Sequence, residues 1–238
     1  MDKQPVLFED LGIIPYQEAW DYQESLLKKN VTIKTTARAQ IPPPDPFQTS
    51  TVHHLLFCEH PPVYTLGKSG HISNILISEA EMERLGISFY RSNRGGDITF
   101  HGPNQLVGYP IFDLEKFHTD IGRYLRNVEE AVIQTLQHYG IKAGRSAGET
   151  GVWIDADKPG AERKICAIGV RCSRWITMHG FAFNINTDLD YFSHIIPCGI
   201  ANKKVTSLEV ELGSKVEMDE VKTKLKESFA AVFSIQLI

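Results

Sequence analysis

Residues 97–139, DITFHGPNQLVGYPIFDLEKFHTDIGRYLRNVEEAVIQTLQHY, decide how the chain is read. DITFH (97–101) and QLVGYPIF (105–112) are short runs rich in β-formers, parted by the turn residues Gly102, Pro103 and Asn104. From 120 to 139 the period changes. Ile121, Tyr124, Leu125, Val128, Ala131, Val132, Thr135, Leu136 and Tyr139 fall on one helical face, and Gly140 is placed to end the helix. Two strands in succession followed by one helix is not β–α alternation. Working outward, strand-like runs lie at 52–58, 63–66, 151–155, 164–171 and 176–185. Helical patterns lie at 16–29, in a short segment opened by Ser78-Glu79-Ala80-Glu81, and at about 219–232. The last is expected to be capped by Asp219, with Val221, Leu225, Phe229 and Val232 inward. The order predicts an α+β fold with a mixed, largely antiparallel sheet flanked by helices. No repeat is evident. The reading is a single domain over 1–238, with a proline-rich excursion at about 30–51, because Pro42-Pro43-Pro44-Asp45-Pro46 suits neither helix nor central strand.

Composition narrows the function classes. The chain has 238 residues, 42% hydrophobic and 23% charged, which excludes disorder and fibrous repeats. Lys plus Arg is 25 against 29 Asp plus Glu, a net charge of −4, without the field of a non-specific nucleic-acid binder. Cys58, Cys166, Cys172 and Cys198 are too few for a disulfide scaffold and show no CxxC spacing. The acidic residues Asp2, Glu9 and Asp10 argue against a secretory signal, and no apolar run approaches the ~20 residues of a membrane span. A cytoplasmic protein with neither nucleic-acid nor membrane partners is expected.

Three segments concentrate chemistry-bearing residues. In Arg94-Gly95-Gly96-Asp97-Ile98-Thr99-Phe100-His101, paired glycines let backbone amides approach a ligand beside a cationic fork and an imidazole. A hairpin turn between 88–92 and 97–101 would use the same glycines. In Lys164-Ile165-Cys166-Ala167-Ile168-Gly169-Val170-Arg171, strand alternation puts Lys164, Cys166, Ile168 and Val170 on one face. Lys164 either snorkels at the strand edge or is held in a site, where Ala167 and Gly169 leave room for a ligand. In Pro197-Cys198-Gly199, a turn would thrust the thiol forward; near neutral pH it needs a cation to become a nucleophile. Lys164, His101, His179 and His194 all qualify, and the sequence does not choose among them. Metal pairing through Cys58-x-His60 or His194-x3-Cys198 is open but weak. Gly67-Lys68-Ser69 lacks the first glycine of a P-loop, since residue 62 is Pro.

Together, RGGDITFHGPNQLVGYP (94–110), KICAIGV (164–170) and PCGI (197–200), supported by HPPVYTLGKSG (60–70) and PYQEAW (15–20), resemble the lipoate-pathway octanoyltransferase family over about residues 11–208. The resemblance implies a fold like that of biotin/lipoate protein ligases. It implies an acyltransferase that moves octanoyl from octanoyl-acyl carrier protein to a lysine of lipoyl domains, in 2-oxoacid dehydrogenases and the glycine cleavage H protein. Cys198 would be the acyl-thioester nucleophile and Lys164 its cationic partner. Arg94, Gly95, Gly96, Asp97, Ile98, Thr99, Phe100, His101, Ala167, Ile168, Gly169, Gly180, Phe181 and Ala182 would line the substrate site. No cofactor is implied, because the donor is already activated. Asn104 and Cys166 depart from the pattern, the first standing where glycine is common and the second adding a thiol near the site. Lys203, Lys204, Arg171, Arg174 and Lys68 could dock an acidic carrier. The alternative is an ATP-dependent lipoate or biotin ligase of the same fold.

Overall fold

The structure, a computed structural model, describes residues 3–196 and 204–238. Its strands are β1 (Gln4–Ile13), β2 (His53–Glu59), β3 (Val63–Leu66), β4 (Ser88–Arg91), β5 (Ile98–His101), β6 (Gln105–Ile111), β7 (Ala143–Gly144), β8 (Val152–Ile154), β9 (Arg163–Ser173), β10 (Ile176–Asn184), β11 (Lys204–Val205) and β12 (Ile235–Leu237). Its helices are α1 (Tyr16–Arg38), α2 (Glu79–Arg84), α3 (Ile121–Gln137), α4 (Leu208–Leu212) and α5 (Met218–Phe233). Among the described residues a nine-stranded sheet runs β12-β1-β2-β6-β10-β9-β8-β7, with β11 added beside β9, and a three-stranded sheet runs β4-β3-β5. The pairs β2–β6, β6–β10, β10–β9, β9–β8, β8–β7 and β3–β5 are antiparallel; β1–β12, β1–β2, β11–β9 and β3–β4 are parallel. The α+β class and its mixed, mainly antiparallel pairing are as the sequence predicts, divided between two sheets.

Strand alternation sorts the large sheet into two buried faces. Leu55, Phe57, Leu106, Phe181 and Phe183 pack beneath α3 and α5; Leu56, Cys58, Val107, Tyr109 and Ala182 face α1. α3 starts where Asp120 accepts from the Arg123 amide (3.0 Å), and Gly140 leaves it with φ +71. The small sheet packs with α2 through Tyr64, Leu66, Met82 and Phe100. No helix among the described residues is long and apolar enough to cross a membrane.

Several boundaries differ from the sequence expectation. α1 runs to Arg38, so the irregular excursion begins at residue 39 and not near 30. Its buried stripe continues as polar residues, which apolar periodicity does not register. The Asn30 amide brackets the Val52 backbone (2.7 and 2.9 Å), and Lys34 Nζ reaches Asp113 Oδ1 at 2.6 Å. β1 was hidden by its charges, which find tertiary partners: Glu9 accepts from Tyr22 and contacts His54, and Asp10 pairs with Lys222. α5 is flanked by Glu217, not Asp219, and Glu217 makes no side-chain cap. The hairpin between 88–92 and 97–101, one of the two readings of the glycine pair, does not form. β4 and β5 both pair with β3, so residues 92–97 cross over that strand instead of turning back on it.

Candidate functional site

The crossover at 92–97 is stitched down by its own carbonyls. Gly67, Lys68 and Ser69 donate their amides to Asp97, Arg94 and Gly96 carbonyls at 3.2, 3.0 and 3.1 Å. The Gly-Lys-Ser segment is therefore a clip on the loop, with these amides already bonded and unable to cradle phosphate. Arg94 adds to the clip: its guanidinium donates to Thr65 O (2.6 Å), Thr65 Oγ1 (2.9 Å) and Gly95 O (3.0 Å). On the other side Gly95 donates to Val170 O of β9 at 2.9 Å. Gly169 permits that approach, since a Cβ there would stand 2.8 Å from Gly95 O.

Between this loop and the large sheet lies a cavity of about 590 Å³, within the roughly 300–1,000 Å³ usual for small-molecule sites. It is lined by Arg94, Gly95, Gly96, Asp97, Ile98, Thr99 and His101 from the loop and β5, by Lys164, Ala167, Ile168 and Gly169 from β9, and by Gly180, Phe181 and Ala182 from β10. Phe100 does not line it. That ring is buried in the small sheet's core, stacked on Tyr191 at 4.5 Å. Phe100 points away from its neighbours Thr99 and His101 into that core. Ile98 shares its parity but stands at the loop end of β5, where it still borders the cavity. Cys198 lies outside the described residues, as does Lys203.

The face assignment of Lys164 also needs correction. Val152 pairs with Cys166 but Trp153 pairs with Lys164, so β9 carries one extra residue, Ile165, as at a bulge. The shift turns Lys164 onto the side of Ala167 and Gly169, where all three line the cavity. Cys166 instead enters the core, fully buried, and burial pushes its thiol pKa up. It is thus not the accessible second thiol expected from sequence. Cys58 is likewise buried and raised; its Sγ stands 3.6 Å from His60 Nε2. His60 is already engaged by the Ile14 carbonyl and the Tyr109 hydroxyl, both at 2.7 Å, so this pair is no metal site. Among the described residues no group of three or more His, Cys, Asp or Glu is placed to hold a metal ion.

Two of the histidines offered as alternative cations, His101 and His179, are held neutral. Burial drives His101 well below its ordinary value and His179 to about 3. His194 sits 3.3 Å from the Tyr64 hydroxyl. His101 instead belongs to a relay of hydrogen bonds along the cavity. Thr65 Oγ1, which accepts from Arg94, lies 3.3 Å from His101 Nε2, while His101 Nδ1 donates to Gln105 Oε1 at 2.9 Å. Gln105 Nε2 then donates to Asn184 Oδ1 (2.9 Å), and Asn184 Nδ2 to Thr206 O (3.0 Å). The proton on Nδ1 is assigned by these partners. Asn104 takes φ +61, which its short amide tolerates, and donates its amide to Glu59 at 2.6 Å.

Sequence reasoning missed several lining residues, among them Tyr16, Val107, Tyr109, Glu149, Thr150, Asn184 and Val205. Tyr16 opens α1, and its ring stacks on His101 at 5.9 Å with its hydroxyl on Ser92. Only its place in PYQEAW could have flagged it. Of the expected docking residues, Arg171 pairs with Glu24 and Arg174 donates to Thr35, so both fasten α1 to the β9–β10 hairpin. Lys68 and Lys204 are exposed.

The chain belongs to the lipoyl protein ligase A/B catalytic domain family, which matches residues 15–230. An octanoyltransferase of Christiangramia forsetii is 55% identical over 238 residues, covering 100% of this chain and 99% of that protein. An octanoyltransferase of Cytophaga hutchinsonii is 53% identical, covering 98% and 94%. Among solved structures, the bi-partite lipoate protein ligase of Thermoplasma acidophilum matches with a TM-score of 0.67 at 21% identity, covering 100% of this chain and 86% of that one. At that identity the match shows the fold alone.

Proposed function

We propose that this acyltransferase moves an octanoyl group from octanoyl-acyl carrier protein, through a thioester on Cys198, to a lysine amine of a lipoyl domain. The acceptors would be the lipoyl domains of 2-oxoacid dehydrogenases and the glycine cleavage H protein, served by one catalytic domain. One observation carries the reading: loop 94–99, Lys164 with Ala167–Gly169, and Gly180–Ala182, far apart in sequence, line one cavity that includes a lysine. Full-length relatives that are octanoyltransferases support the acyl group. Cys198 is two residues from Ile196, and two residues span at most about 7 Å. The Ile196 amide donates to Asn74 O at 2.8 Å, and Asn74 in turn holds the lining residue Asp97 at 2.7 Å. Beyond the segment, Val205 lines the cavity and pairs with Lys164.

With the acceptor lysine entering as the neutral amine, the form able to attack, the cycle closes without a net proton. The Cys198 thiolate, stabilised by the Lys164 ammonium, attacks the donor's thioester carbonyl. A new C–S bond forms, the bond to the carrier breaks, and Lys164 gives its proton to the departing carrier thiolate. The acceptor lysine then attacks the acyl-enzyme. Its nitrogen forms the amide, the C–S bond to Cys198 breaks, and the now neutral Lys164 takes the surplus proton. That restores the thiolate–ammonium pair. Acyl moves from thioester to thioester and then to the more stable amide, so ATP is not needed. Burying the chain favours octanoyl over short acyl groups by about 0.8 kcal/mol per methylene.

Intact-protein mass spectrometry after incubation with octanoyl-acyl carrier protein should show one octanoyl adduct, mapping to the peptide with residue 198. Cys198→Ser should abolish turnover. Transfer at a near-normal rate in that variant excludes the covalent route.

A further inference from the structure

Lys164 emerges from the shifted register already described, and the residues facing it there form an arrangement of their own. Trp153 is its cross-strand partner, fully buried, and Lys164 Nζ stands 4.6 Å from the centre of the indole ring. Also against the lysine stem is Gly151, at φ +129. A Cβ on Gly151 would lie 2.7 Å from Cys166 O, so only glycine fits beside that carbonyl at this φ. The backbone there packs at contact distance along the lysine stem, with Lys164 Cε 3.4 Å from the same Cβ position. Gly151 is fixed by a buried carboxylate: its amide donates to Glu129 Oε1 at 3.0 Å. Arg126 and Arg145 neutralise Glu129 at 2.7 and 3.0 Å. A buried anion left alone would draw a nearby ammonium toward itself; with two guanidinium partners its charge is already met.

We propose that Trp153, together with Gly151 as anchored by Glu129, is a positioning device that directs the Lys164 ammonium into the cavity. The aromatic face holds the cation by its quadrupole. Lys164 is thereby aimed at the cavity it lines. Trp153 and Glu129 act through Lys164 and touch no reacting atom. The inference rests on the proposed role of Lys164, and its test separates the two.

Four proteins decide it: wild type, Trp153→Leu, Lys164→Met and the double variant. Two quantities are read well below each protein's unfolding temperature. One is kcat and KM for octanoyl transfer; the other is the rate of iodoacetamide alkylation at Cys198, mapped by peptide mass. Trp153→Leu should lower kcat on the order of tenfold with KM within about twofold, and slow alkylation in step. In the Lys164→Met background it should slow alkylation no further, because the group it positions is gone. An equal slowing in both backgrounds, or unchanged kcat in the single variant, overturns the inference. Normal transfer by Lys164→Met would instead overturn the proposed role of Lys164. Should Trp153→Leu fail to fold, Trp153→Phe keeps an aromatic face and must show a smaller loss in the same direction; a rate equal to wild type overturns the proposal.

Discussion

The two long walls of the cavity are made rigid by opposite means. The 94–97 wall is fixed by backbone and one arginine: three amides of 67–69 hold its carbonyls, Arg94 bridges Thr65 and Gly95, and Gly95 is tied to β9. Nearly every polar group there has a structural partner. The β8–β9 wall is built differently. A register shift lifts one lysine out of a regular ladder and sets its ammonium over the Trp153 ring, with Gly151 packed along its stem. In the proposed mechanism one wall gives shape and the other gives reactivity. Residues of the first should matter through stability and substrate fit, those of the second through the chemical step.

The hardest test of that contrast is Lys164→Met, which keeps the length of the side chain and removes the charge. With the lysine serving as ion partner and proton carrier, kcat should fall by about 10²–10⁴, with the thermal midpoint moved little. A large loss of stability with modest loss of kcat would make Lys164 a structural residue. Next comes Gly169→Ala on the shaping wall. The added methyl meets Gly95 O at 2.8 Å, a backbone atom with little freedom to yield. Overpacking of this kind costs about 1–3 kcal/mol, read as a lower urea midpoint together with a raised KM for the octanoyl donor. Unchanged stability would mean that the loop is not pinned where its hydrogen bonds place it.

Much of this was legible because it is written in residue types that have few uses. The glycine pairs, the strand runs around 105–112 and 176–185, and the α3 face all follow from backbone freedom and periodicity. What escaped reading depended on partners distant in the chain. Ile165 looks like any strand residue, and only pairing with β8 shows that it is the extra one. Asn30 and Lys34 look like the end of a helix until Val52 and Asp113 satisfy them. Phe100 was grouped with its neighbours by motif, whereas the pleat sends it into another core. Tyr16 and Asn184 reach the cavity through the packing of α1 and β10, which no local pattern encodes.

The buried neutral imidazoles sharpen the comparison through pH. Burial lowers His60 to about 4 and both His53 and His179 to about 3, and pushes His101 lower than its ordinary value as well. Each remains neutral in the fold while the unfolded chain begins to take up a proton below about pH 6.5. Stability is therefore full above 6.5 and falls as pH drops from there toward 4, by up to about 1.4 kcal/mol per pH unit for each such group. Urea midpoints at pH 7.5 and 5 should differ markedly, and His60→Gln should narrow the gap. A flat profile would show that these rings are protonated in the native protein.

The smallest effect expected lies at the rim, where the exposed Lys68 and Lys204 differ from Arg171 and Arg174, already engaged with α1. A chain of net charge −4 meets an acidic carrier only through local positive charge. Reversing one exposed lysine should lower kcat/KM for the carrier-bound donor by a few-fold, the scale of roughly 0.2–1 kcal/mol typical of exposed charges. The loss should shrink as salt rises and leave kcat alone. Arg171→Glu should behave differently, because it sets two carboxylates facing each other between β9 and α1 and so weakens the fold first. If Lys68→Glu and Lys204→Glu leave the salt dependence of kcat/KM unchanged, carrier docking belongs to another surface, and the cavity's two walls need no help from its rim.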